Sequence, residues 1–518
     1  MPGIDQTTPS IAAPAVRGID LTCGQLLSIL LSLNPSRRVA ILDSGGARDP
    51  DARFLIAGFN PFEVVESYGD ELHIRSRPDN FTADIDWLNE DAPRVVRGSV
   101  FALLDEQLAR YKVAFPSFYN FRPPAHGACI ATFSYDLVRR LERLRSHRRS
   151  AIPMTNVEPD AVFAFYDTLV IHDYTRGETF IVSVGGNERL DETCDALISA
   201  AEKHESLTRE ERRSRAENIR RGERRSSFAC TSNFTRDEYL AAVQRIKEHI
   251  FAGDIYQANL TQQITCPLPS GTTAEEVFVR LRRDHPASFA AFLRRGEDVV
   301  VSASPERFLS VEVGEEGDES GRVIEAWPIK GTRRRGRDAE EDARLRAELL
   351  ASEKDRAENV MIVDLLRNDL GRVCRFGSIE VRELCALQEH PTLFHLVSKV
   401  RGRLREDATA GRIIRAAFPC GSITGAPKIR AMEIIDEIET APRGLSMGSI
   451  GYFSFDGRID LSVAIRTMTI RDGTAQFNVG GGIVADSDPA AEYEESLLKA
   501  RALLKALSAP HEPARGNG

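Results

Sequence analysis

The chain reads as an α+β protein, and three observations say so. Residues 448–484 alternate as strands around two Asp-Gly pairs, Asp456–Gly457 and Asp472–Gly473, the dipeptides that suit two-residue hairpins. Thr235–Ala252 places Tyr239, Val243, Ile246 and Ile250 at helical spacing, so one face is apolar. Arg53–Phe59, Glu71–Ser76 and Ala161–Ser183 alternate and contain β-branched residues, which predicts a strand-rich first half. Helices mixed with antiparallel hairpins define this class.

In chain order, residues 1–20 are small, polar and proline-containing, and are expected to be a disordered tail. Cys23–Leu33 predicts a short helix and Arg38–Ser44 a strand. FSYD, Phe133–Asp136, opens a second predicted helix, DLVRRLERL. Residues 203–226 are densely charged with little apolar periodicity, the mark of a solvated connector. This divides the chain into an N-terminal subdomain, 21–202, a linker, 203–229, a second unit, 230–508, and a tail, 509–518. Within the second unit, Arg344–Asp369 predicts one long helix. Pro427–Glu439 predicts another, with Pro427 near its first position and Ile429, Met432 and Ile435 on one side. Phe477–Lys499 reads as a strand end, a glycine loop at Gly480–Gly482, and a helix capped by Asp488 with Pro489 leading it.

Composition narrows the function classes. The 518 residues are 42% hydrophobic and 28% charged, with a net charge of −9. No basic stripe dominates, which argues against nucleic acid as partner. The N-terminus has no basic region followed by an apolar core, so no signal peptide is expected. No apolar run approaches the ~20 residues of a membrane span. The eight cysteines include no C-x-x-C pair; free thiols in a reducing cytoplasm are expected, and no zinc site.

Chemistry concentrates in four places. Glu492 and Glu495 are three apart on the last helix, with Lys499 four further on, so all three share a face. Asp355 and Glu358 repeat that spacing on a second helix. Carboxylates in this number suit Mg2+, which takes few protein oxygens and keeps its remaining positions for water and substrate. Glu358 and Glu495 would ligate, with Asp355 and Glu492 behind them holding waters. Either pair alone would more often be a surface salt-bridge partner. Gly421–Lys428, GSITGAPK, is a glycine- and hydroxyl-rich loop entering a helix, where free amides suit an anion. Lys330, in WPIKGT, could be a nucleophile if its amine were neutral. With a reference pKa of ~10.4 that requires desolvation or nearby cations, such as the metal and neighbouring arginines.

Taken together, GDIYQANLTQ (Gly253–Gln262), SASPERF (Ser302–Phe308), PIKGTRRRG (Pro328–Gly336), AENVMIVDLLRNDLG (Ala357–Gly371), GSITGAPK, AIRTMTI (Ala464–Ile470) and GGGIVADSDPAAEYEES (Gly480–Ser496) resemble, in order, the chorismate-utilising enzymes. That family includes component I of anthranilate and aminodeoxychorismate synthases and the isochorismate and salicylate synthases. The likeness is dense over residues 230–508 and continues weakly through LDSGG (Leu42–Gly46) and FSYD.

The resemblance implies a layered α/β/β/α core with two packed, largely antiparallel sheets, and a site for chorismate and Mg2+. It places Glu358, Glu495, Asp355 and Glu492 at the metal. Arg466, Lys499 and the amides near Gly481 and Gly482 would hold chorismate carboxylates, with Thr424 and His395 lining the same pocket. Glu306 would be the general acid for the departing C4 hydroxyl. Gln257 stands where water-adding relatives have a lysine base, and an amide cannot take a proton from water, so ammonia is the implied nucleophile. Lys330, Asn259 and SITGAPK resemble the aminodeoxychorismate branch; the RRRG tail resembles the anthranilate branch. The implied activity is therefore conversion of chorismate and ammonia to 4-amino-4-deoxychorismate through a Lys330 adduct, for p-aminobenzoate and folate supply. The alternative is anthranilate synthase component I. Cys420 in FPCGSIT lacks the nucleophile-elbow setting of an amidotransferase cysteine, so ammonia would come from a separate glutamine amidotransferase subunit. LDSGG stands where the anthranilate branch has LLES, which weakens the case for feedback by tryptophan.

Overall fold

A computed structural model of the chain describes residues 14–45, 52–77, 92–113, 122–142, 144, 158–218, 230–314, 321–389 and 393–508. Two large sheets dominate it, and every ladder in them is antiparallel. The first runs Ala15–Ile19, Glu178–Ser183, Thr168–Asp173, Phe54–Gly58, Ala40–Asp43, Phe289–Arg294, Asp298–Ser304, Thr467–Arg471, Thr474–Ile483, Gln257–Pro267, Thr231–Ser232. The second runs Ile329–Arg334, Leu393–Arg403, Arg322–Ala326, Arg307–Val313, Ile459–Val463, Ser449–Ser454, Ala128–Phe133, Ala161–Tyr166, Glu63–Tyr68, Glu71–Ser76, Arg94–Arg97.

Strand periodicity builds the layers. Side chains alternate across a strand, and here both faces are apolar. Ile41, Leu55, Phe292 and Val301 pack outward with helices Cys23–Ser32, Ala274–Asp284 and Pro489–Ser508. Their neighbours Ala40, Ile56, Ala291 and Val300 meet Ala128 and Ile130 of the second sheet between the layers. On the far side, Cys129, Ala131 and Phe133 pack with helices Val100–Arg110, Glu353–Gly371 and Ala410–Ala417. The order is helix, sheet, sheet, helix, as the fold class anticipates.

The two halves of the sequence are not two separate cores. Both sheets take strands from each half; Ala40–Asp43 pairs with Phe289–Arg294, and Ser449–Ser454 with Ala128–Phe133. Residues 203–218 of the charged segment continue helix Gly186–Asn218, while 219–229 and the tail 509–518 lie outside the described residues.

Several sequence expectations need correcting. Ala15–Ile19, assigned to a disordered tail, is an edge strand on Glu178–Ser183; backbone pairing holds it where composition gave no apolar signal. The Arg344–Asp369 helix is two, Ala339–Ala351 and Glu353–Gly371, because Ser352 leaves helical geometry and its hydroxyl accepts from Asp355 N at 3.3 Å. The helix after Phe133 shortens to a 3-10 turn, Tyr135–Leu137, and Val138–Leu141. Ile429 is 48% exposed, since helix Lys428–Ile438 buries the face of Ala431, Met432, Ile434, Ile435 and Ile438 instead. Residues 448–484 are two hairpins in different sheets. Cys230 and Cys266 are joined by a disulfide, because the ladder setting Thr231 opposite Thr265 brings their neighbours face to face. Cys23, Cys129, Cys194, Cys374, Cys385 and Cys420 are free.

A buried ion pair ties the layers to the loop at Gly421–Ala426. Arg443 donates to both carboxylate oxygens of Glu439, at 2.9 and 2.7 Å, and to the carbonyls of Ile423 and Asn259, at 2.8 and 2.6 Å. Glu439 in turn accepts from Thr261 N at 2.7 Å and from its hydroxyl at 2.9 Å. Removing one partner of such a pair strands the other charge in the interior. Glu439→Gln is expected to lower unfolding free energy by about 3–5 kcal/mol in urea titrations. Asp407→Asn, which breaks the exposed pair with Arg405, should leave the urea midpoint where it is.

Candidate active site

The site forms where the chain twice passes between sheets. Strand Asp298–Ser304 belongs to the first sheet and Arg307–Val313 to the second, with Glu306 in the connection. Strand Ile459–Val463 belongs to the second and Thr467–Arg471 to the first, with Arg466 in that connection. The crossings run side by side: Val463 N donates to Glu306 O at 3.0 Å, and Ser304 Oγ to Val463 O at 2.6 Å. Arg466 turns there with φ 49°; it keeps contact with solvent, yet the surrounding protein desolvates its guanidinium enough to lower its pKa.

Glu306 is buried, and Oε1 has no hydrogen-bond partner among the described residues. Burial raises its pKa above the ordinary carboxylate value, against the opposing pull of the Lys330 ammonium and the Ser422 hydroxyl. Lys330 comes from strand Ile329–Arg334 and lies half-buried opposite Leu396. The groups that feel its charge are carboxylates: Glu306, Glu358 and Glu495. The expected arginine neighbours are each paired with a carboxylate, Arg333 with one of the cluster itself. Arg333 pairs with Glu348 and Asp355, Arg334 with Glu341 and Arg335 with Asp342.

Both acidic helices reach this lysine. Gly331, next to it, lies so close to helix Glu353–Gly371 that an added Cβ would stand 2.9 Å from Asp355 Cβ. Burial raises the pKa of Glu358, with Asp355 and Glu492 adding to the effect and Lys330 and Lys354 opposing it. On helix Pro489–Ser508, begun as expected by Asp488 accepting from Ala491 N at 2.8 Å, three side chains converge on Gly481. A Cβ there would lie 3.2 Å from Glu492 Oε2, 3.5 Å from Lys499 Nζ and 3.7 Å from Glu495 Oε1. Glu492 is held by Ser487 Oγ at 2.6 Å. Burial would raise the pKa of Glu495, but Lys499 at 2.8 Å, with Lys354 and Lys330, outweighs it and the pKa falls below the ordinary value. Lys499 also donates to Gly480 O at 2.8 Å.

Gly480–Gly482 lie within a strand rather than a loop: Gly481 is opposite Leu260 and Gly482 opposite Asn259. Without side chains these glycines let neighbouring groups press onto the ladder. Gln257 does so from the partner strand, where a Cβ on Gly482 would lie 2.2 Å from Nε2. The Gln257 amide is fully buried, and neither Nε2 nor Oε1 has a partner among the described residues. Thr424, also fully buried, turns its hydroxyl onto the carbonyls of Cys420 and Gly421 at 3.1 and 3.3 Å. Its carbonyl accepts from Asn259 N at 2.7 Å. His395 Nδ1 is 2.8 Å from Thr332 Oγ1, one residue along from the position facing Lys330.

The donor set suits a hard divalent cation. It offers carboxylate oxygens from two helices, all within the electrostatic influence of Lys330 or of one another. Among the described residues no three His, Cys, Asp or Glu side chains converge as a metal cage. Ser422, Lys354 and Asn359 were missed from sequence. Ser422 lay inside the hydroxyl-rich loop already singled out; the other two carried no separate signal.

The fold and this lysine-centred cluster of carboxylates are those of an enzyme-like site, and comparison with known proteins says which family carries it. The sequence profile of the chorismate binding enzymes matches residues 48–505. Anthranilate synthase component 1 of Acetivibrio thermocellus is 35% identical over 491 residues, 93% of this chain and 92% of that one. Aminodeoxychorismate synthase component 1 of Escherichia coli K12 is 36% identical over 467 residues, 90% of this chain and 92% of that one. The crystal structure of anthranilate synthase component I from Streptococcus pneumoniae superposes with a TM-score of 0.67 at 26% identity, covering 88% of this chain and 92% of that one. The chain belongs to the chorismate binding enzymes. Among the described residues no helix is long and apolar enough to cross a membrane.

The raised pKa of Glu306 has a signed consequence. The native state holds this proton to higher pH than the unfolded chain does, so its contribution to stability falls as pH rises from the unfolded carboxylate value, ~4.3, through the raised native one. Glu306→Gln removes that penalty. Urea unfolding from pH 4 to 7.5 should show the variant gaining on the parent as pH rises, then levelling off. Its turnover of chorismate should fall by about 10²–10⁴-fold.

Proposed function

We propose that the chain is the chorismate-aminating component of an aminodeoxychorismate synthase. It would convert chorismate and ammonia to 4-amino-4-deoxychorismate, with ammonia supplied by a separate glutamine amidotransferase subunit. The observation that carries this reading is that Lys330, on the strand whose Gly331 packs against Asp355, lies near enough to Glu306, Glu358 and Glu495 for its charge to act on all three.

That placement supports a two-stage displacement. Glu306 can take the proton of Lys330 and then give it to the C4 hydroxyl as that group leaves as water. The neutral amine attacks C2 while the ring double bonds shift, forming a covalent adduct. Ammonia then attacks C4, the double bonds shift back, Lys330 departs from C2, and the proton shed by the new amine returns to the lysine. The enolpyruvyl group stays on the ring. Glu358 and Glu495 would hold Mg2+, which when bound supplies Lewis-acid charge for the substrate carboxylate and the leaving oxygen. Arg466 and Lys499 would bind carboxylates of chorismate, Lys499 exchanging its pairing with Glu495 to do so. Gln257 can hydrogen-bond the nucleophile but cannot deprotonate it, which favours ammonia over water. Burial pushes the Cys420 thiol up to about 11, with Glu306 adding to the effect, so it is a poor candidate for an amidotransferase nucleophile. Such a supply places the protein in p-aminobenzoate and folate synthesis.

A second reading, anthranilate synthase component I, is favoured by the comparable identity to that enzyme, 35% against 36%. Product identity separates the two. With chorismate, Mg2+ and ammonium salt, mass spectrometry should find a non-fluorescent aminated product that keeps the enolpyruvyl group. A fluorescent product with equimolar pyruvate would overturn the reading. Lys330→Ala should lose the protein–substrate adduct mass and most of the rate; a variant making the C4 product at the parent rate would refute the covalent route.

A further inference from the structure

Helix Glu353–Gly371 carries Asp355 and Glu358 on its first turns; the Ser352 cap, Arg333 and Gly331 hold Asp355, but little apolar packing anchors the turn of Glu358. Its apolar anchors, Ile362, Val363, Leu366 and Leu370, all lie further along, and from residue 353 to 361 the single buried residue is Asn359. Asn359 is 0% exposed. Its Nδ2 donates to the carbonyl of Leu396 at 3.2 Å, and its Oδ1 accepts from the Ser398 hydroxyl. Leu396 is the residue opposite Lys330. One side chain therefore links the helix, at the position after Glu358, to the strand that backs the lysine.

The strand on the far side is built to complete this link. Its register with Leu393–Arg403 shifts between Glu383 and Ala386, so that Leu384 and Cys385 face the single residue Ser398. Cys385 takes φ 51° there and turns its N–H onto Ser398 Oγ at 2.9 Å. With one lone pair accepting from Cys385, the hydroxyl directs its proton to Asn359 Oδ1. Ser398 is also 0% exposed. An amide is required in this setting: the side chain must accept from a hydroxyl and donate to a carbonyl at once, and a buried group missing either bond is costly.

We infer that Asn359 is a positioning residue, which with Ser398 sets the distance between Lys330 and the carboxylates Asp355 and Glu358. It touches neither substrate nor metal and acts through Glu358. The inference rests on the proposed function only in taking Glu358 as a ligand of Mg2+. Partners that orient metal ligands typically change affinity or activity by about 10–100-fold when lost.

The test compares Asn359→Leu, Ser398→Ala and the double variant with the parent chain. The readout is the Mg2+ concentration giving half-maximal chorismate binding, followed by calorimetry, with kcat, KM and Tm alongside. Asn359→Leu should raise that Mg2+ concentration and lower kcat, each by about tenfold or more, with KM at saturating Mg2+ within about twofold. Ser398→Ala should move both the same way by less, and the double variant should be no worse than Asn359→Leu because both act through one chain of bonds. If Asn359→Leu does not fold, Ser398→Ala carries the test alone. A half-saturating Mg2+ concentration unchanged in the folded variants overturns the inference, whatever happens to Tm or kcat, because a merely structural role would move only those. A parent enzyme that releases pyruvate would overturn the proposed function and leave this readout intact. A parent chain whose chorismate binding does not depend on Mg2+ would overturn the inference.

Discussion

The site depends on two of the crossings between the sheets, those at Glu306 and Arg466. Each passage brings a polar residue, Glu306 or Arg466, to the seam of a doubly packed β core, and the hydrogen bonds among Ser304, Glu306 and Val463 keep the passages adjacent. A strand can leave one sheet for another only where its ladder bonds are replaced by others. Here the replacement is the neighbouring crossing. Glu306 thus sits on backbone that the fold holds from both sheets.

Charge arrangement follows from that rigidity. One lysine faces three carboxylates drawn from a crossing and from two helices that meet only in the folded chain. Burial separates their behaviour: Glu306 and Glu358 are pushed up, while Glu495, paired with Lys499, is pushed down. Residues of one chemical type thus differ in proton affinity, because environment and not identity sets the pKa. Two buried polar assemblies flank this cluster. Arg443 and Glu439 hold the loop of Thr424 against strand Gln257–Pro267, and Asn359 with Ser398 holds the acidic helix against the strand behind Lys330. Each is fully bonded, the condition under which polar groups in a core specify geometry.

Much of this was legible in the sequence. Element types came from periodicity and caps: the helix starts at Thr235 and Pro489 and the turns at Asp456–Gly457 and Asp472–Gly473 depend on local chemistry, which a linear reading sees. The paired carboxylates were visible because helical spacing is fixed. What failed was whatever depends on a partner distant in sequence. Ala15–Ile19 is a strand because Glu178–Ser183 lies beside it. Ile429 points outward because the buried face was chosen by packing, and either side of that helix offered apolar residues. Ser352 divides a helix that propensity alone would continue.

By itself, then, the sequence determined the α+β class, most elements, the acidic pairs, Lys330 and the family, because local sterics and ordered motifs carry that information along the chain. The tertiary structure decided that two apparent halves share both sheets, that Cys230 meets Cys266, that Gly480–Gly482 belong to a ladder, and that the neighbours of Lys330 are carboxylates and not arginines. Each of those is a matter of which distant residue arrives at a given face, and that is settled only when the apolar faces of both sheets are buried together.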